Sequence, residues 1–385
     1  MNEFQGYPID PIALLEALVS IESVNPSLVP GAKGEARIAE YCARWLGAQG
    51  LDVHVLNSKP DRPSVVGIAI GTGGGRSIML NGHIDTVTLA GYEGDPLLPT
   101  RKDGRLHSRG SFDMKCGVAA AMVAAVRTKQ LNLAGDVIVA CVADEEHSSW
   151  GTEEVLRLFT ADAGIVTEPT LLDLTVSHKG FVWFDVTILG VASHGSLPEL
   201  GVDAISKAGY FLVELDRLSV RLRESPGHLQ LGNGSVHASI IRGGEEASSY
   251  PAECRITIER RTVPGETGDT TEAELTGILQ SLEQLVPDFR WRIERGLERL
   301  PMETNPESEL VQLLLQNAEP ILGKRPALRY EPFWTDAALM HASGIDSFLF
   351  GPTGEGAHAA EEWVDEQSVR DVTDILVATI AEFCK

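Results

Sequence analysis

With 385 residues, 43% of them hydrophobic and 23% charged, the chain has a globular composition and more length than one compact core usually holds, so two domains are expected. The 55 acidic residues outnumber the 32 basic ones and give a formal net charge of −23. Such a field repels phosphate backbones and anionic lipid, which argues against nucleic acid and membrane surfaces as partners.

The beginning of the sequence, MNEFQGYPIDPIALLEALVS, has no basic segment followed by a long apolar run, and no stretch approaches 18 apolar residues. We therefore expect neither a signal peptide nor a membrane span. The five cysteines are an odd number without close pairs, which fits neither a disulfide framework nor a cysteine-rich zinc site. A reducing, cytoplasmic compartment is the resulting expectation.

The first half of the chain alternates predicted helices and strands. Apolar residues recur at helical spacing over 11–21 and 34–50, and an Ala-rich segment with a basic end covers 113–129. Short β-branched or apolar runs predict strands at LDVHVL, SVVGIAI, SIMLNG and DVIVACVAD. This alternation predicts an α/β domain whose mainly parallel central sheet is flanked by helices. Ligands of such sheets bind beyond the carboxyl ends of the strands.

The pattern changes near residue 180. Strand-like runs begin at GFVWFDVTILG, SVHASIIRGG and ECRITIERRTV, and long helical patterns cover 201–223 and 268–286. A further helical pattern, the strand-like SFLF and a closing helix then resume the alternation of helices and strands seen in the first half. We therefore predict a discontinuous catalytic domain, 1–179 and 291–385, which carries an inserted α+β domain at 180–290.

Ionisable side chains cluster where the predicted strands end. The groups are His83 and Asp85, Asp113, the run Asp144–Glu146, Glu168 and His358. Taken singly, each has an ordinary structural explanation: a satisfied histidine, a helix N-cap for Asp113, a solvated strand end, or a turn before Pro169. Five such groups in one half of the predicted sheet favour a shared site.

Two imidazoles and three carboxylates form the nitrogen and oxygen ligand set that suits Zn²⁺, with Co²⁺ or Mn²⁺ as substitutes. Two ions about 3.5–4 Å apart need a shared carboxylate, and a further carboxylate would be free to act as a base. Asp85 follows His83 by two residues and is placed to accept the other N–H of that imidazole, which would orient the ring. The sequence therefore indicates a two-metal site.

Seven segments follow one another along nearly the whole chain: GHIDTV, DGRLHSRGSFDMKCG, ADEEHSSWGT, TEPT, GVASHGSLPELGVDAI, IERRTVPGE and FGPTGEGAHAAEEWV. Together they resemble the M20 family of zinc amidohydrolases and exopeptidases. The resemblance implies that Asp113 bridges two metals whose other ligands are His83, Glu146, Glu168 and His358. It also implies that Glu145 is the general base that takes a proton from water and returns it to the leaving amine.

The same resemblance implies that the inserted domain acts as a lid and mediates a homodimer. His194, in the SHG motif, would reach the active site of the partner subunit and stabilise the oxyanion. Arg261 matches the position where the family places an arginine near the substrate carboxylate, although strand parity alone leaves Arg260 open. Backbone N–H groups around Gly354 and Gly356 could bind the same carboxylate.

Two departures from the family pattern bear on the substrate. Ser248, Ser249 and Tyr250 precede Pro251 where many members have an asparagine, and Glu168 replaces the aspartate of some members, which leans towards deacylases. The sequence thus predicts hydrolysis of a small carboxylate-bearing N-acyl amino acid. A dipeptidase or carboxypeptidase activity is the alternative, and a metal-free relative that only binds such compounds is a remote one.

Overall fold

The chain forms two compact units in a computed structural model that describes residues 9–385, so the first eight residues of the segment judged for a signal peptide lie outside it. The first unit comprises the described residues up to Val176 together with Thr304–Arg329 and Thr335–Lys385. The second comprises Ser177–Glu303 and Tyr330–Trp334. Within 9–385, none of the helices combines the length and apolar character needed to cross a bilayer.

Secondary structure covers most of both units. The helices are α1 (Pro11–Val19), α2 (Ala36–Ala48), α3 (Lys115–Lys129), α4 (Trp150–Leu158), α5 (Ala204–Glu224), α6 (Gly268–Leu285), α7 (Glu309–Leu322), α8 (Ala337–Ala342) and α9 (Glu366–Phe383). The strands are β1 (Asp52–Leu56), β2 (Ser64–Ala69), β3 (Ile78–His83), β4 (Thr100–Lys102), β5 (Arg105–His107), β6 (Val137–Val142), β7 (Ala163–Val166), β8 (Leu174–His178), β9 (Gly180–Leu189), β10 (Ser235–Gly243), β11 (Glu253–Thr262), β12 (Arg290–Arg299), β13 (Met302–Glu303), β14 (Leu328–Glu331), β15 (Asp346–Leu349), β16 (Gly354–Glu355) and β17 (Trp363–Asp365).

The large sheet of the first unit has the order β1-β2-β6-β3-β7-β15-β8. The four strands at its centre, β6, β3, β7 and β15, are parallel. The outer strands β1, β2 and β8 are antiparallel to their neighbours, which the sequence pattern does not indicate. The connection of β1 to β2 is too short for a crossover helix, and this forces the antiparallel arrangement. The predicted α/β class with a mainly parallel central sheet is confirmed.

Helix α3 is buried almost throughout because its residues are small or apolar and it packs against β3, β6, α1 and α9. Gly117, in its first turn, marks the closest approach: a Cβ there would lie 1.8 Å from the backbone oxygen of Thr167. Only glycine permits this contact. It fixes the start of α3 against the residue that precedes Glu168.

The second unit is a four-stranded sheet in the order β10-β11-β9-β12, with every neighbouring pair antiparallel. Helices α5 and α6 cover one face of this sheet, and the apolar side chains between them form a core of their own. Asp203 and Thr267 start these helices by accepting backbone N–H groups of the first turn. The two long helices and three of these strands correspond to the predicted elements.

Candidate metal centre

The parallel strands bring the predicted ligands to one edge of the large sheet. Strand β3 ends at His83, the segment after β6 carries Glu145 and Glu146, and Glu168 follows β7 by two residues. His358 lies between β16 and β17, beyond the end of β15. The carboxyl ends of neighbouring parallel strands meet at a common edge, which explains how residues far apart in sequence converge.

A first group of possible ligands consists of His83, Asp113 and Glu168, whose ligand atoms all lie within 4.8 Å of one another. His83 Nε2 is 3.2 Å from Asp113 Oδ1 and 3.6 Å from Glu168 Oε1. Asp113 does not cap α3, because Met114 occupies the N-cap position and the Asp113 carboxylate faces the histidines instead. The ordinary N-cap explanation for Asp113 is therefore wrong.

A second group consists of Asp113, Glu146 and His358. His358 Nε2 lies 3.2 Å from Asp113 Oδ2 and 3.1 Å from Glu146 Oε2. Each oxygen of Asp113 thus faces a different imidazole, which is the arrangement that a bridging carboxylate requires. Among the described residues, Glu146 Oε1 is buried without a hydrogen-bond partner, so it has free capacity to bind a cation.

The electrostatics of the cluster favour positive charge beside each imidazole. Hydrogen bonds to Asp113 and Glu146 raise the pKa of His358 to about 10. Burial alone would lower the pKa of His83, but its hydrogen bonds to Asp113 and Asp85 outweigh burial and raise that pKa well above its ordinary value. Burial and the neighbouring acids raise the pKa of Glu168, with His83 opposing them. These residues therefore fit two divalent cations.

Glu145 belongs to neither ligand group, although its Oε2 lies 3.9 Å from His83 Nε2. Burial raises the pKa of the Glu145 carboxyl well above its ordinary value; His83 opposes this, and Glu168, Asp336 and Glu146 add to it. A carboxylate with a raised pKa and no metal to bind is suited to proton transfer.

Asp85 holds the segment that carries the two glutamates. Its carboxylate accepts the backbone N–H groups of Glu145 and Glu146 at 3.2 and 3.3 Å, and the Asn25 amide at 2.8 Å. The nearest acceptor for His83 Nδ1 is the backbone oxygen of Asp85 at 3.0 Å, and the Asp85 carboxylate is 3.5 Å away. That Asp85 orients the His83 ring stays a prediction. The Asp85 carboxylate also holds the backbone of the Glu145 segment.

Sequence reasoning missed the residues that surround this segment. Arg62 forms ion pairs with Glu35 and with Asp144, the residue before Glu145, and donates to Asn25 Oδ1 at 3.0 Å. Glu35 and Asp144 are themselves fully buried. No spacing rule connects residues 25, 35 and 62 with residue 144, so only the fold could reveal this network.

The second unit contains the predicted site residues Arg261 and His194. Arg260 is fully buried and paired with Glu266 and Glu274, whereas the Arg261 side chain is 32% exposed. Arg261 donates to Glu259 at 2.7 Å and lines a cavity of about 320 Å³ together with Lys179, Ser235, Pro332 and Phe333. Of the two adjacent arginines, only Arg261 faces open space, and its role towards a substrate stays a prediction.

His194 is exposed on the segment between β9 and α5. The residues on either side of His194 are hydrogen-bonded to the 248–250 segment, which departs from the family pattern. Gly195 N donates to the Ser248 backbone oxygen at 2.7 Å, and Tyr250 N donates to the Ser193 backbone oxygen at 2.8 Å. His194 Nδ1 accepts the backbone N–H of Ser196 at 3.2 Å. Because Nδ1 accepts this N–H, the hydrogen-bond donor of the ring is Nε2.

Gly354 and Gly356 lie in the first unit, on the segment that leads to His358. Gly356 has a φ of +91°, and a Cβ there would meet the backbone oxygen of Glu361 at 1.9 Å. Glycine is therefore required for the chain to turn at this point. Whether the N–H groups near these glycines bind a substrate carboxylate stays a prediction.

Two adjoining nitrogen and oxygen ligand groups that share one carboxylate are typical of two-metal enzymes such as phosphatases, nucleases and aminopeptidases. The profile of peptidase family M20/M25/M40 matches residues 79–382. An acetylornithine deacetylase of Myxococcus xanthus is 31% identical over 330 residues, which cover 84% of this chain and 85% of the deacetylase. The chain therefore belongs to peptidase family M20/M25/M40.

Two further proteins illustrate the range of this family. The N-formyl-4-amino-5-aminomethyl-2-methylpyrimidine deformylase of Bacillus subtilis (strain 168) is 26% identical over 97% of this chain and 94% of its own. The YXEP protein of Bacillus subtilis, a dinuclear metal-binding peptidase, shares the fold with a TM-score of 0.70 and 16% identity, covering 97% of each chain. The predicted family and the prediction of an enzyme that hydrolyses amide bonds are confirmed.

Proposed function

We propose that the protein is a two-metal amidohydrolase that removes the acyl group from a small N-acyl amino acid. The observation that carries this proposal is the Asp113 carboxylate, whose two oxygens face His83 and His358 beside a Glu145 that neither ligand group uses. The two sequence relatives described above, which cover most of the chain, are a deacetylase and a deformylase. Their names support acyl removal over peptide cleavage.

The residues of the site have separate roles in the proposed reaction: metal binding, proton transfer and positioning. His83 and Glu168 would hold one ion, Glu146 and His358 the other, and Asp113 both. The bound ions would polarise the amide carbonyl and lower the pKa of water. Glu145 accepts a proton from the attacking water and delivers it to the leaving amine nitrogen. Asp85 keeps Glu145 in place through the backbone N–H of that residue.

We propose zinc as the metal, with cobalt or manganese as substitutes, because the ligands are imidazole nitrogens and carboxylate oxygens. We also propose a reducing, cytoplasmic compartment, since all five cysteines are unpaired and buried. Elemental analysis of protein purified without chelator tests the metal. Less than one bound transition metal per chain, not restored by Zn²⁺ or Co²⁺, would instead favour a relative that only binds its ligand.

A homodimer through the inserted domain is part of the proposal. Strand β10 lies at an edge of the four-stranded sheet, and its Ile240 and Ile241 side chains are about half exposed. Helix α5 also exposes Tyr210 and Val213. An unpaired strand edge with apolar side chains is a ready surface for a second copy. His194 of one subunit would then serve the active site of the other.

The proposed deacylation is tested with a panel of N-acetyl, N-formyl and N-succinyl amino acids beside dipeptides, all assayed with Zn²⁺ or Co²⁺ present. We expect kcat/KM for at least one N-acyl amino acid to exceed that of every dipeptide. Replacing the α-carboxylate of the best substrate with a neutral amide should raise KM, because Arg261 would lose its partner. Rapid dipeptide cleavage without deacylation would show that the alternative, a dipeptidase, is correct.

Replacement of His194 by alanine should lower kcat about 10²–10³-fold while metal content stays normal, because the Nε2–H donor to the oxyanion is removed. Steady-state kinetics and metal analysis of the same preparation measure both. Ser196→Ala is the comparison: it removes the hydroxyl 2.7 Å from His194 Nδ1 but keeps the backbone N–H that donates to the same nitrogen, so kcat should change only a few-fold. Unaltered turnover in His194→Ala would rule out this role.

A further inference from the structure

Glu362 lies four residues after His358, and its buried carboxylate organises the turn that presents Asp113. Its Oε1 accepts the backbone N–H groups of Phe112 and Asp113 at 2.9 and 3.0 Å. Its Oε2 accepts the backbone N–H of Gly110 at 3.0 Å and Arg109 Nη1 at 2.7 Å. Glu362 is fully buried, and within residues 9–385 its carboxylate is the acceptor for these four donors.

The same pair of residues holds the segment that carries His358. Arg109 Nη2 donates to the backbone oxygen of Ala359 at 2.8 Å, directly after the histidine. The backbone oxygen of Glu362 accepts the N–H of Ser108 at 3.3 Å, which closes the contact between the two segments. His358 itself has a φ of +61°, a conformation that an L-residue keeps only when its surroundings hold it.

We propose that Glu362 is a positioning residue that sets the separation of Asp113 and His358, and so determines the affinity of the metal position formed by Asp113, Glu146 and His358. This inference rests on the proposed two-metal function. The other metal position shares only Asp113 with the Glu362 contacts, since His83 and Glu168 come from β3 and the segment after β7. Loss of Glu362 should therefore lower the metal affinity of the position that contains His358 more than that of the position that contains His83.

Glu362→Gln keeps the size of the side chain but changes what it can accept. Whichever way the amide is turned, its NH₂ group faces a pair of donors: either Arg109 and Gly110, or Phe112 and Asp113. Those N–H groups then lose their acceptor and the turn must shift. Glu362→Asp keeps both acceptor oxygens on a side chain shorter by one methylene, so its effect should be smaller.

The test is calorimetric titration of Zn²⁺ into metal-free full-length protein, with His358→Ala identifying the binding event of the second position. We expect Glu362→Gln to weaken that event about 10–100-fold, the usual effect of removing a group that supports a metal ligand, and to weaken the other event less. Raised Zn²⁺ should restore much of kcat. Glu361→Gln is the matched control, because the neighbouring Glu361 side chain is exposed and should give wild-type titrations.

Thermal unfolding of the metal-free variants shows whether each one folds. If Glu362→Gln does not fold, Glu362→Asp is titrated in its place. Its Zn²⁺ affinity at the position that contains His358 should lie between the affinities of wild type and His358→Ala. Equal weakening of both events, or unchanged events in a folded variant, would overturn the proposed role of Glu362. Failure of the wild-type protein to bind Zn²⁺ at all would instead contradict the two-metal function itself.

Discussion

Replacement of Glu145 by glutamine is expected to lower kcat by about 10³-fold while both metals and the fold are retained. Glutamine has the size of glutamate but cannot accept a proton from water, and general base catalysis typically contributes 10²–10⁴-fold. Glu145 is outside both ligand groups, so no metal should be lost with its charge. Kinetics and elemental analysis on one preparation measure the two quantities together.

The adjacent residue supplies the comparison. Glu146→Gln should lose metal from the position that contains His358, because Glu146 Oε2 lies 3.1 Å from His358 Nε2. The two neighbouring variants are therefore expected to fail in different ways, one through chemistry and the other through metal content. If Glu145→Gln lost a metal and Glu146→Gln kept both, the assignments of base and ligand would have to be exchanged.

Replacement of Asp113 by alanine is expected to reduce binding at both metal positions and to lower kcat/KM by about 10³–10⁵-fold. Its two oxygens face His83 and His358, so a single substitution removes a ligand from each group. Metal ions supply several kcal/mol of transition-state stabilisation, and each 1.36 kcal/mol corresponds to about tenfold in rate. Metal titration and kinetics at a fixed Zn²⁺ concentration measure the loss.

Asp52→Ala is a suitable control, since Asp52 is an exposed acid on β1 and should leave both measurements unchanged. The informative contrast is with His83→Ala and His358→Ala, each of which removes a ligand from only one position. Asp113→Ala should bind less metal than either. If it bound as much metal as His358→Ala, a bridging role for Asp113 would be contradicted.

The predicted parts of the fold and site depend on local patterns that tertiary structure did not override. Alternating apolar runs and helical spacing identify the parallel centre, and acids or histidines directly after apolar runs identify His83, Glu146 and Glu168. Each of these signals lies within a few residues of the side chain that it concerns. They also obey the rule that parallel strands carry their ligands at the carboxyl edge.

The rest depends on partners that are distant in sequence. Arg260 and Arg261 are equivalent in pattern, and the buried pairing of Arg260 with Glu266 and Glu274 distinguishes them. Asn25 meets Asp85 only because the chain returns to the end of β3 after 60 residues. Glu362 follows His358 closely enough for the AAEEWV segment to draw attention, but Glu361 beside it is exposed, and no local pattern tells the two acids apart.

Gly117 has a consequence for how sequence variants of this enzyme are interpreted. Any side chain at this position would collide with Thr167, so relief requires either α3 or the end of β7 to move. Asp113 precedes that helix and Glu168 follows that strand, so the collision would pull apart two groups that now lie close to the same imidazole. Gly117→Ala would then have the same effect on the centre as the loss of a ligand. Damage at this centre can thus originate in a residue with no chemistry of its own.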